Sequence, residues 1–307
     1  SHFAVIFDSA RKNFRNEIYK DYKANRSEAP DDLAPQFEYI RKAVKAFNLP
    51  SVEQTNYEAD DLIATYVEQI LEIGAKVTIV SSDKDLMQLV TPPDEDPSIN
   101  MIDPKEMIRV TYDVVVDKFG VPPALLGDVL ALAGDKSDNI PGVPGIGPKI
   151  ASSLINEYGS LEVLLDHAGE IKQKVRREKL LSNTEEAMLS RKLVELDRAV
   201  PLNVMTMPDH YTTVSELKMA PLSSDALFNF YEEMGFYDLI MRLKRRLGMS
   251  GSDGNNSESS AMAGEADTKQ IGTGNAPVND NIRQGLIMHQ MRKSEAPKPE
   301  DYDDVPF

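Results

Sequence analysis

Residues 76–90 read KVTIVSSDKDLMQLV, and this stretch decides the fold class. Val77, Ile79 and Val80 form a short β-branched apolar run, which predicts a buried strand, and Asp83–Val90 predicts a helix entered directly from it. A strand that feeds straight into a helix is the repeating unit of a parallel α/β sheet. Working outward, FAVIF at 3–7 is a second strand of the same type. Helical periodicity runs from Pro30 to Phe47, SVEQT at 51–55 reads as a short strand, and Tyr57–Ile73 is a strongly amphipathic helix ended by Gly74. SINMID at 98–103 and IRV at 108–110 read as further short strands or a hairpin. Residues 1–110 are therefore expected to form a mostly parallel sheet with helices, in which ligands collect beyond the carboxyl ends of the strands.

From residue 111 the pattern becomes helical throughout. TYDVVVDKFG, PPALLGDVLALAG, GPKIASSLINEYG, SLEVLLDHAG, EIKQKVRREKLL, a stretch through RKLVELD, SSDALFNFYEEMG and FYDLIMRLKRRLG carry helical apolar spacing, most with a Gly stop. A helical region over 111–248 follows. After that the composition turns to Gly, Ser, Asn, Asp and Glu with few large apolar residues, so 249–307 is expected to be a disordered acidic tail.

The composition narrows the chemistry. There is no Cys, which excludes disulfides, thiolate metal sites and cysteine nucleophiles, and the four His are scattered at 2, 167, 210 and 289. No apolar run is long enough to span a membrane, and no signal peptide is visible, so an intracellular protein without membrane contact is expected. The chain opens at Ser1, directly on a buried strand, as a fragment or a processed product would. Net charge is −16, of which −5 falls from residue 249 onward. Against that excess, Lys and Arg bunch at Arg11, Lys12 and Arg15; at Lys20, Lys23 and Arg26; at Lys172, Lys174, Arg176, Arg177 and Lys179; and at Arg242, Lys244, Arg245 and Arg246. A single bunch is usually a solvated helix face, whereas several flanking an acidic site favour phosphate contacts.

That acidic site is the main chemical signal. Asp8 closes AVIFD, Glu58, Asp60 and Asp61 sit in YEADD, Asp83 and Asp85 in SSDKD, and Asp135 and Asp138 in GDKSDN. One carboxylate at a helix start is ordinary dipole complementation. Three in four positions, followed downstream by two further pairs, are more than capping requires. Glu58 and Asp61 are i,i+3 on one helix face, with Asp60 turned about 100° away. Carboxylates without His or Cys suit hard cations such as Mg²⁺ or Mn²⁺. Two such ions roughly 4 Å apart would serve the attacking water and the leaving oxygen of a phosphodiester.

Immediately after the last pair comes PGVPGIGPK at 141–149. Gly142, Val143, Gly145, Ile146 and Gly147 form a tight turn, Lys149 follows, and a helix begins there with its positive dipole end. Alone this is a plausible turn; beside a carboxylate cluster it reads as a helix–hairpin–helix clamp for a DNA phosphate.

RKNFRNEIYKDYKANR, YEADD, SSDKDLMQLV and GDKSDNIPGVPGIGPKIASSLINEYGSLE together resemble the 5′-nuclease domain of bacterial DNA polymerase I and its stand-alone relatives, in the flap-endonuclease superfamily. The resemblance spans residues 1 to 248. It implies a PIN-like nuclease core, a helical arch, and a helix-three-turn-helix module on duplex DNA. It implies that Asp8, Glu58, Asp60 and Asp61 belong to a first metal and Asp83, Asp85, Asp135 and Asp138 to a second. Arg15, Lys23 and Arg26 would hold the scissile phosphate, and the hairpin carbonyls a potassium ion. The expected activity is structure-dependent 5′→3′ exonuclease and flap cleavage in primer removal, replication and repair, on 5′-flap, nicked or branched DNA, in bacterial cytoplasm or a DNA-containing organelle.

In that family an earlier strand brings one more metal-binding Asp, and this chain starts after it. The sheet is therefore expected to lack a central strand. The alternative reading is a branched-DNA-binding protein with weak or no catalysis. Finally, DYDDVPF at 301–307 resembles the acidic, Pro-Phe-ending tail of bacterial single-stranded-DNA-binding proteins and would dock a replication or repair protein.

Overall fold

The computed structural model describes residues 1–202, 211–249 and 285–291. The strands expected in the first part form at Phe3–Phe7 (β1), Ser51–Val52 (β2), Lys76–Val80 (β3), Ile99–Asp103 (β4) and Ile108–Val110 (β5). β1 pairs in parallel with β2, β3 in parallel with β4, and β4 in antiparallel with β5. β1 and β3 are not neighbours in the sheet. The strand between them is Gly285–Met291 (β6), parallel to both, with Phe3 opposite Ile287 and Lys76 opposite Gly285. The sheet order is β2-β1-β6-β3-β4-β5.

β6 corrects two expectations. Seven residues of the supposedly disordered tail are a strand, and the central position of the sheet is filled. The physical reason is backbone accounting: β1 and β3 each have an inward edge whose N–H and C=O groups need partners, and one seven-residue segment satisfies both edges. The acidic terminus 301–307 lies outside the described residues, as does the remainder of the tail.

Helices Phe14–Ile18 (α1), Gln36–Ala46 (α2) and Ala59–Glu72 (α3) accompany the sheet. α3 is the amphipathic helix foreseen; Leu62, Ile63, Tyr66, Val67 and Ile70 are buried against the strands. Asp83–Val90 forms a six-residue 3₁₀ turn, Lys84–Leu89, rather than an α-helix. A segment this short gains little from an α-helical ladder, and Leu86, Met87 and Leu89 reach the core from the tighter turn. The helical arch is not formed as a helix either: residues 20–25 and 31–35 are turns.

The second part contains Tyr112–Phe119 (α4), Pro123–Ala133 (α5), Pro148–Tyr158 (α6), Leu161–Asp166 (α7), Lys174–Ser182 (α8), Thr184–Val194 (α9), Ser224–Glu233 (α10) and Tyr237–Arg246 (α11). It is not helical throughout. Between α9 and α10 the described residues contain only a 3₁₀ turn, Val214–Leu217. One apolar cluster runs from Ile6, Ile63 and Ile79 through Leu86 to Leu126, Leu132, Ile155 and Leu193, so sheet and helices share a core. α10 and α11 add a small cluster of their own with Ala46 of α2. Among the described residues no helix is long and apolar enough to cross a membrane.

Candidate metal centre and phosphate-binding hairpin

β1, β3, the start of α3 and the loop after α5 bring the expected carboxylates to one end of the sheet. Asp8 follows β1, and its Oδ1 accepts the Ala59 N–H at 2.8 Å. Glu58 is the N-cap of α3 and Asp61 its reciprocal partner, the Glu58 N–H donating to Asp61 Oδ2 at 3.1 Å. Asp60, in the same first turn, is buried. Asp83 caps the 3₁₀ turn by accepting the Asp85 N–H at 3.0 Å. Asp135 and Asp138 are buried in the loop that joins α5 to the hairpin.

Cations hold this set together. Lys23 bonds Glu58 and lies 3.5 Å from Asp138, and Arg26 pairs with the other Asp138 oxygen. Glu58 also accepts from Asn13 at 2.9 Å and from the Tyr22 hydroxyl at 3.0 Å. Burial and the Glu58 charge push the Tyr22 hydroxyl well above its ordinary value, so it remains a proton donor. Lys84 reaches Asp135 at 2.8 Å. Burial alone would raise the Asp135 carboxyl, but the Lys84 ammonium and two bonds from Ser137 outweigh it and hold the carboxyl below the usual range. Asn13, Tyr22 and Lys84 were missed from sequence. Lys84 alone left a signal, a cation placed inside an acidic motif.

One expectation needs correction. Arg15 is 1% exposed and cannot meet a substrate phosphate. Its guanidinium binds both oxygens of Asp61 at 2.7 Å and donates to the Leu193 and Glu195 carbonyls at 2.9 and 2.7 Å. Asp61, 0% exposed, also accepts the Asp197 N–H at 2.9 Å. Arg15 is a positioning residue that ties α3 to the end of α9. Val143 and Ile146 point into the core rather than toward a ligand, so only their backbone is available in the hairpin.

The hairpin itself is built on glycine for two separate reasons. Gly142, at φ +61°, packs against the backbone of Ala133 and Gly134, where a methyl group would overlap, and its N–H donates to Ser190 Oγ at 3.0 Å. Gly145, at φ +81°, is exposed, and a methyl there would collide with the Lys179 ammonium. Gly147 is the N-cap of α6, with open space around it and no side-chain cap on the helix start. Lys149 is exposed in the first turn.

A cleft of about 120 Å³ opens beside this cluster, lined by Asp8, Arg11, Lys23, Arg26 and Glu58 among others. As the side chains stand, no three carboxylates among the described residues close on one point as ligands of one ion, because lysine and arginine fill the gaps. The donor set is nevertheless the all-oxygen kind that divalent cations take, and Lys23, Arg26 and Lys84 have long side chains that can yield their places. The residues fit the metal by chemistry.

Residues 1–120 match the family described as 5′-3′ exonuclease, N-terminal resolvase-like domain, and residues 121–216 match 5′-3′ exonuclease, C-terminal SAM fold. The chain is 47% identical over 243 residues to DNA polymerase I of Rhizobium leguminosarum, covering 79% of this chain and 23% of that polymerase. It is 35% identical over 255 residues to DNA polymerase I of Mycobacterium tuberculosis, covering 82% and 27%. The chain thus spans about a quarter of these relatives. Among solved structures, the phage T5 D15 protein co-crystallised with metal ions superposes with a TM-score of 0.57 at 23% identity, over 75% of this chain and 82% of that one. That likeness establishes a shared mixed α/β fold, whose two parts the family matches describe as a resolvase-like domain and a SAM fold. With both domains of the family matched in order along one core, the chain belongs to the 5′-3′ exonuclease family.

Proposed function

We propose that the chain hydrolyses phosphodiesters at 5′ ends and 5′-flaps of DNA, using two divalent cations of the Mg²⁺ or Mn²⁺ type. The observation that carries this is a cleft lined by Asp8, Glu58, Lys23 and Arg26, with Asp138 paired to Lys23 and Arg26 beside it and Asp135 paired to Lys84. Divalent ions have been bound to the related T5 5′-exonuclease. Asp8, Glu58 and Asp60 would hold the first ion, and Asp83, Asp85, Asp135 and Asp138 the second; Asp61, expected with the first set, is instead held by Arg15 and the Asp197 N–H. When bound, such ions polarise the phosphodiester and lower the pKa of an attacking water. The protein's own part is positioning and charge. Lys23 and Arg26, which stand at Glu58 and Asp138 on the cleft, would hold the scissile phosphate and offset its developing charge. Arg15 keeps Asp61, and through it the start of α3, in register. The Tyr22 hydroxyl fixes the Glu58 carboxylate.

The turn at 141–147, the uncapped start of α6 and Lys149 form a helix–hairpin–helix clamp for the duplex backbone. A potassium ion on the hairpin carbonyls would share the turn with the Lys179 ammonium, which stands against Gly145. DYDDVPF would recruit a replication or repair partner, and its deletion is expected to leave cleavage of naked DNA unchanged.

Incubating the chain with a labelled 5′-flap duplex tests the reading. Cleavage is expected with Mg²⁺ and none with EDTA. Tight flap binding without turnover at any divalent ion concentration would favour the non-catalytic binder. The hairpin adds a narrower expectation. Gly145→Val forces a β-branched residue into φ > 0 and displaces Lys179, so duplex affinity should fall roughly tenfold in electrophoretic shift assays, equally for unrelated sequences of one flap geometry. A strong sequence dependence would contradict a backbone clamp.

A further inference from the structure

The basic bunch at 172–179 is distributed by α8 in an uneven way. Lys174 faces Glu178 at 3.8 Å, and Arg177 donates to the Ile171 carbonyl at 2.7 Å. Lys179 is half-buried and makes no ion pair with any carboxylate among the described residues. Its ammonium instead rests on Gly145, in the exposed tip of the hairpin.

The backbones on both sides are anchored. Leu180, the next residue of α8, is fully buried. The Lys179 carbonyl accepts from the Asn183 side chain at 2.7 Å and from Ser182 Oγ at 3.3 Å, which locks the last turn. On the hairpin side, Val143 and Ile146 anchor the turn in the core, with the Ile146 N–H donating to the Val143 carbonyl at 3.0 Å. Between these anchors an unneutralised ammonium faces a residue without a side chain, one turn from a helix start that no side chain caps. A lysine free to extend into water gains nothing from such a position. An anion arriving at the start of α6 would meet backbone N–H groups, Lys149 and this ammonium together.

We infer that Lys179 is a third element of the hairpin clamp, a fixed cation contributed by α8 that binds a DNA backbone phosphate beside Gly145. The inference rests on the reading of the hairpin as a duplex clamp. It also reassigns the role of Gly145. Besides supplying φ > 0, this glycine leaves room for the ammonium, so the two residues should be energetically coupled.

The test is a salt titration of 5′-flap duplex binding, read by fluorescence anisotropy in EDTA so that no cleavage occurs. Six proteins are compared: the full chain, K179A, K179R, K149A, G145A and the G145A/K179A double variant. Losing one phosphate contact should reduce the slope of log K against log [KCl] by about 0.9 and weaken binding roughly threefold to fivefold. K179A is expected to show this loss and K179R to retain most of the affinity. G145A should cost less in the K179A background than alone, because the collision is gone. Thermal unfolding of K179A should match that of the full chain, which separates a contact from a folding effect. If K149A lowers the slope and K179A does not, the clamp stands and the role of Lys179 is refuted. If neither variant changes the slope, the clamp reading fails and this inference with it.

Discussion

Replacing Asp83 and Asp135 together by Asn should lower 5′-flap cleavage at least about a thousandfold, which corresponds to about 4 kcal/mol of transition-state stabilisation. Both substitutions preserve shape. Asn is as good an N-cap as Asp, so the 3₁₀ turn after Asp83 keeps its bond to the Asp85 N–H. In Asp135→Asn the side-chain amide retains an oxygen for the Ser137 N–H, now held by Asp135 at 2.7 Å. What disappears is charge, at two of the four carboxylates proposed for the second ion. Hard cations bind largely through charged oxygens, so that ion should be lost while the fold is kept. Duplex binding should persist within a few-fold, because the hairpin and Lys149 are untouched and less negative charge repels the phosphates. Single-turnover cleavage and anisotropy on the same flap separate these effects. Robust cleavage by the double variant would end the two-ion assignment.

The same pair illustrates what sequence reveals. Asp83 and Asp135 were legible because each lies at an element end, beside other acids, where no core position explains it. β1, α3 and β3 were legible because their apolar spacing is regular and their partners are local. β6 was hidden for the opposite reason. Its seven residues are short, sit in a polar segment, and become a strand only because β1 and β3, more than 200 residues earlier in the chain, leave two edges facing each other. Val143 and Ile146 were legible as members of a turn that offers its backbone, but not as the residues whose apolar side chains fill the core beneath it. Gly142 and Gly145 look alike in sequence, yet one is required by the backbone of α5 and the other makes room for Lys179. Long-range packing decides such cases, and a spacing rule does not contain it.

Arg15 is the strongest instance, and its removal is expected to have the largest effect on stability. Read as one of three basic residues before the acidic motifs, it resembles a phosphate contact. In the fold it lies beneath the site, with two bonds to Asp61 and one each to Leu193 and Glu195. Burial would lower its pKa, but Asp61 and Glu58 raise it overall, so the charge is retained at every accessible pH. The pair therefore adds no titration of its own through Arg15. Arg15→Met keeps the apolar stem and deletes the charge. It leaves the Asp61 carboxylate buried without its countercharge and removes a donor from two carbonyls at the end of α9. Breaking one side of a buried pair costs about 3–5 kcal/mol, a large share of a typical total of about 5–15 kcal/mol. Urea unfolding should show that loss. Asp61→Asn in the Arg15→Met background should recover part of it, because an uncharged amide is cheaper to bury than an orphaned carboxylate, although its single oxygen keeps only one of the two N–H groups, of Glu58 and Asp197, that Asp61 accepts on separate oxygens. A phosphate-contact role predicts the reverse pattern, full stability with lost cleavage. Observing that pattern would mean that Arg15 reaches the substrate after all.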